Sequence, residues 1–96
     1  MRLITHEESL IEGHWIVVGG KTEADEAALR IESLVTSHLQ LVAVCDGGWS
    51  RLFRDPLDSR LWEHTYPQAE IHGGGPPRLA AISPEQACMR YKIEQK

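Results

Sequence analysis

Neither a helix nor a hydrogen-bonded strand can run through Gly73-Gly74-Gly75-Pro76-Pro77. Glycine admits positive φ and close backbone approach. Proline locks φ, removes a donor and biases the preceding residue toward extended geometry. Regular structure must therefore stop before this tract and start afresh after it. A flexible linker would mix in serine and other polar residues. This tract instead follows Thr65-Tyr66-Pro67-Gln68-Ala69-Glu70-Ile71-His72 and reads as a shaped loop framed by Tyr66, Glu70 and His72. Loops held by a rigid scaffold often carry function.

The rest of the chain divides into short elements. His14-Trp15-Ile16-Val17-Val18 is rich in β-branched and aromatic residues and predicts a strand that ends at Gly19-Gly20. A helix is expected from about Thr22 to His38, with Thr22 as N-cap and Glu23, Asp25 and Glu26 near its positive end. Ala24, Ala27, Ala28, Ile31, Leu34, Val35 and His38 recur at helical spacing and predict its buried stripe. Leu39 to Cys45 is apolar on both faces except at Gln40, as a central strand would be. Trp49 to Arg54 and Arg60 to Tyr66 flank the turn Asp55-Pro56-Leu57-Asp58-Ser59 and predict an antiparallel hairpin. Asp55 is placed to cap that turn, and Arg60 to pair with Asp55. After the Gly/Pro loop, Arg78 to Ile82 is a short strand. Ser83-Pro84-Glu85-Gln86 then opens a last helix with a capping box and Pro at its first position, facing Ala87, Cys88 and Tyr91 inward. The order β-α-β-β-β-β-α predicts one α+β domain over 1–96, with a mostly antiparallel sheet of four or five strands and two helices on one face. Residues 1–8 are expected to be flexible and 92–96 frayed.

Charge narrows the function classes. The net charge of −4 disfavours a general nucleic-acid binder, which needs a basic face for phosphates. Residues 1–48 hold eight acids and three bases, a net of −5, whereas the remainder holds six acids and seven bases. An acidic half can steer a basic partner, although a solvated helix face has the same composition. No apolar run approaches the ~20 residues of a membrane span, and the first residues lack the apolar core of a signal peptide. Cys45 and Cys88 sit among apolar neighbours and read as reduced thiols, which fits a cytoplasmic location.

Catalytic and cofactor motifs are weak. Gly20-Lys21-Thr22 follows a strand, but a phosphate-binding loop needs glycine five positions before Gly20, where Trp15 stands. His72-Gly73-Gly74-Gly75 echoes an oxyanion loop, yet no Gly-x-Ser-x-Gly elbow accompanies it. His6, His14, His38, His64 and His72 show no zinc-ligand spacing. Glu63, Glu70 and Asp55 are carboxylates without a spacing that defines an acid/base pair. No cofactor, metal or catalytic residue is assigned. Alternation places Trp62, His64 and Tyr66 on one strand face leading into the Gly/Pro loop, where they form either core or an aromatic contact surface.

Read in order, Gly48-Trp49, Leu52-Phe53, Asp55-Pro56, Asp58, Arg60, Trp62-Glu63, Thr65-Tyr66-Pro67, Glu70, His72 to Pro77 and Leu79 resemble the immunity protein 27 family of bacterial polymorphic toxin systems. Glu8-Ser9-Leu10, Gly13-His14-Trp15, Gly20, Asp25 and Arg30-Ile31 fit as well, so the resemblance runs from about Glu8 to Tyr91. It implies a small cytoplasmic protein that binds and neutralises a cognate toxin without catalysis or cofactor; charge and hydropathy add the expectation of no nucleic-acid or membrane partner, and a monomer or weak homodimer is expected. Partner contacts are expected at Trp62, His64, Tyr66, Glu70 and His72, and at the acids Glu7, Glu8, Glu12, Glu23, Asp25 and Glu26. The residues leave two alternatives open. One is a ligand or peptide module using the Glu70–Pro77 loop with Tyr66 and His72 as walls; the other is a small hydrolase with His64 or His72 as base.

Overall fold

A computed structural model describes residues 3–5, 7–45, 47, 49–67 and 75–91. Seven strands and two helices follow in the order β1 (Leu10–Glu12), β2 (Trp15–Val18), β3 (Lys21–Ala24), α1 (Glu26–Ser37), β4 (Gln40–Cys45), β5 (Ser50–Arg54), β6 (Leu61–Thr65), β7 (Arg78–Ile82) and α2 (Pro84–Tyr91). Five strands form one antiparallel sheet in the order β1-β7-β6-β5-β4, and β2-β3 form a separate ribbon. The class is the expected α+β, with two strands more than the sequence pattern predicts.

The extra strand β3 comes from the Gly19-Gly20 pair. Both glycines have positive φ, 58° and 82°, and Val18 pairs directly with Lys21 across them. Two residues of positive φ make a tight hairpin loop whose twist suits the flanking strands. Lys21 to Ala24 are thereby drawn into a strand, and the helix starts at Glu26 rather than at Thr22. Asp25 is its N-cap, accepting a hydrogen bond from the Ala28 amide at 2.8 Å. Ile31 and Leu34 of the anticipated stripe are fully buried, and Val35 packs beside them.

The helices cover opposite faces of the sheet, not one. Ile31 and Leu34 of α1 cluster with Phe53, Trp62 and Leu79, whereas Ala87 of α2 clusters with Leu52 and Leu61. Strand side chains alternate between faces, so consecutive residues of β5 and β6 feed different cores. The middle strand is therefore β6, buried from Leu61 to His64. β4 lies at the edge and is not the central strand its apolar run suggests. A bulge at Val42 lets both Val42 and Ala43 pack toward α2, while Leu41 and Val44 stay exposed at 57% and 54%.

Side-chain hydrogen bonds fix the ends of these elements. The capping box forms as expected: the Ser83 amide donates to Gln86 Oε1 at 3.0 Å and the Gln86 amide to Ser83 Oγ at 3.1 Å. Asp55 caps its turn through the Leu57 amide at 2.9 Å. Its side-chain partner is the His38 ring at the end of α1, a hydrogen bond of 3.0 Å, while Arg60 pairs instead with Asp58 at 2.7 Å. The Arg60 guanidinium also donates to the Glu8 and Thr5 carbonyls and lies 4.9 Å from the centre of the Trp62 ring, tying the N-terminal segment to β6. Gly13 sits where β1 gives way to the ribbon, its amide donating to the Pro77 carbonyl at 2.8 Å. A Cβ there would meet Ala28 at 2.8 Å, so the close approach of α1 to the end of the Gly/Pro loop requires glycine.

Candidate functional site

Four of the eight acids of the first half are brought together from three segments. Glu8 precedes β1, Glu12 ends it, and Asp25 and Glu26 open α1; with Arg30 they line an open depression of about 570 Å³. They are not equivalent. Glu8 grips Arg30 with both oxygens, at 2.7 and 2.8 Å, and accepts the Thr5 amide, so it holds the N-terminal segment in place. Asp25 is occupied by its cap and lies 3.4 Å from the His14 ring. Burial pushes its carboxyl up, but the Ala28 amide and His14 outweigh that and hold it below the usual value. Glu12 and Glu26 are exposed, as are Glu7 in the N-terminal segment and Glu23 on the ribbon. Carboxylates converging on one concavity create a negative potential that attracts a basic surface.

A second, smaller depression of about 260 Å³ adjoins the first through Glu12 and is walled by His14, Trp15, Pro67, Pro76 and Pro77. Trp15, read from the sequence only as part of a strand, is 40% exposed there. The end of the Gly/Pro loop thus contributes prolines to a groove of mixed polarity beside the acids, which Arg78 also lines. Sequence reasoning missed this role for Trp15 because it missed the ribbon; Gly19-Gly20 between two extended segments was the available signal.

The anticipated aromatic face does not form. Trp62 and His64 are each 0% exposed: Trp62 packs with Ile31 and Leu34 of α1, and His64 lies against Arg51, Phe53 and Tyr66. Tyr66, just beyond β6, is half-buried and stacks edge-on against Trp49 at 5.5 Å; Trp49 is the exposed aromatic at that end, at 50%. Glu70 and His72 lie outside the described residues, as does the ligand-binding alternative that needs them.

His64 is not an accessible base. Arg51 donates to its Nδ1 at 3.0 Å, which puts the ring proton on Nε2. Burial and the adjacent guanidinium lower its pKa from 6.5 to about 4. Glu63 is engaged by α2, accepting from Arg90 at 2.6 Å and from the Tyr91 hydroxyl at 2.9 Å. Burial and then Glu63 raise the Tyr91 pKa. Among the described residues no group of three or more His, Cys, Asp or Glu is arranged to hold a metal, and no helix is long and apolar enough to cross a membrane.

The fold is a small α+β domain with a carboxylate-lined concavity beside a groove walled by Trp15 and prolines. The family model for Immunity protein 27 matches residues 17–83, more than two thirds of the chain, and the protein belongs to that family. The match runs from within β2 to the residue after β7, a shorter span than the resemblance from Glu8 to Tyr91. No curated protein and no solved structure gives a significant match.

Proposed function

We propose that the protein binds a cognate toxin domain in the cytoplasm and neutralises it by covering its working surface. Membership of the immunity protein 27 family carries this reading. The contact surface we assign is the acid-lined depression together with the adjoining Trp15 groove. An aromatic side chain beside a groove is the usual kind of interface anchor, and the exposed carboxylates Glu12 and Glu26 complement a basic toxin face. Neutralising a lethal enzyme takes roughly nanomolar affinity, about 12 kcal/mol, and typically at least ~1,200 Å² of total buried surface. Inhibition by occlusion needs no bond-making by this chain.

The direct experiment is co-expression with the toxin-like protein encoded by the neighbouring gene, followed by co-purification and a survival assay. Rescue with a stable complex is expected. Normal binding without rescue would overturn occlusion, and neither binding nor rescue would overturn the toxin reading.

A further inference from the structure

The β2–β3 ribbon leaves both edges open, since no third strand pairs with it among the described residues. Its apolar side chains are exposed along the whole of β2, up to 75% at Val17. An isolated two-stranded ribbon is marginal in water, and an open strand edge is a template for another strand. The glycine loop at its tip stands clear of the rest of the molecule: a Cβ at Gly19 or Gly20 would meet nothing within 4 Å.

The two edges differ in what they can recognise. Val18 and Lys21 flank a two-residue loop, so their backbone groups face each other across the ribbon. Those of Glu23 face inward too, and the ladder continues with the Asp25 amide donating to the His14 carbonyl at 2.9 Å. By alternation, the N–H and C=O of Thr22 point out from the free edge of β3. On either side of Thr22 stand opposite charges, Lys21 and Glu23, both exposed.

We propose that two copies of this chain pair through β3, antiparallel about a two-fold axis at Thr22, to give a continuous four-stranded ribbon. The two Thr22 residues then exchange both backbone hydrogen bonds. Each Lys21 falls opposite Glu23 of the second copy, on the face shared with Ile16 and Val18. Each Gly20 falls opposite Ala24 of the second copy, where the bare loop presents no side chain to clash. The self-complementary charge order Lys-Thr-Glu selects a second copy over an unrelated strand, and the axis places the two sheet domains at opposite ends of the ribbon.

The test is sedimentation equilibrium of the full chain over a concentration series. Wild type should dimerise reversibly. Lys21→Glu and Glu23→Lys should each weaken the dimer roughly tenfold, because each makes two like-charge pairs across the axis. The double variant K21E/E23K should restore it. Thr22→Pro, which removes the outward N–H, should be monomeric with an unchanged circular dichroism spectrum. A wild-type monomer at every concentration would overturn the proposal. So would single reversals that dimerise like wild type, or a charge swap that fails to rescue while all variants stay folded.

Discussion

At the scale of single residues, the informative positions are polar groups inside the fold. His64 is enclosed beside Arg51 with its Nε2 unpartnered among the described residues, and the Trp62 indole N–H is likewise without an acceptor. An unmade hydrogen bond of this kind costs about 1–3 kcal/mol. The depressed pKa of His64, about 4 against 6.5, makes stability depend on pH. The neutral ring's contribution is complete above the unfolded value of 6.5. As pH falls toward 4 the unfolded chain takes up a proton that the native chain refuses, and roughly 2–3 kcal/mol should be lost. Below about 4 the native ring is protonated too, and this source of loss ends. His64→Gln retains an acceptor for Arg51 but does not titrate. Urea unfolding should show a smaller stability drop between neutral and acidic pH for the variant, and an identical drop would refute the assignment.

At the scale of elements, the start of α1 shows a local contest. Thr22 followed by acids is a good N-cap signal, but the Gly19-Gly20 loop pairs Lys21–Ala24 with β2 and moves the cap to Asp25. Asp25→Ala should therefore destabilise the protein by about 1 kcal/mol, the usual cost of losing a cap. Thr22→Ala, at an exposed strand position, should cost under about 0.5 kcal/mol. Thermal unfolding of the two variants separates the assignments, and the reverse order would place the helix start back at Thr22. The capping box of α2, by contrast, was fully legible because its partners lie three residues apart. Ser83, Pro84 and Gln86 need no distant contact to take their roles.

At the scale of the whole molecule, the unequal charge of the two halves becomes a directional surface only through the fold. Glu12→Lys combined with Glu26→Lys leaves the Asp25 cap and the Glu8–Arg30 pair untouched. It should slow association with a basic toxin roughly tenfold at low salt and flatten the salt dependence of the on-rate, because steering acts on encounter. Stopped-flow kinetics that do not change would remove the depression from the contact surface.

What the sequence alone determined is whatever depends on near neighbours. That includes the α+β class, the β5–β6 hairpin around Asp55-Pro56, the capping of α2 and the buried stripe of α1, all set by periodicity and turn chemistry within a few residues. The family resemblance also came from ordered residues. Only the tertiary structure decided that β4 is an edge, that the helices take opposite faces, that Arg60 reaches the N-terminal carbonyls, and that Trp62 and His64 are core while Trp15 is surface. Each of these turns on what a segment far away in the chain does or does not lie against. Alternation marks two faces as different, but it does not say what lies against either.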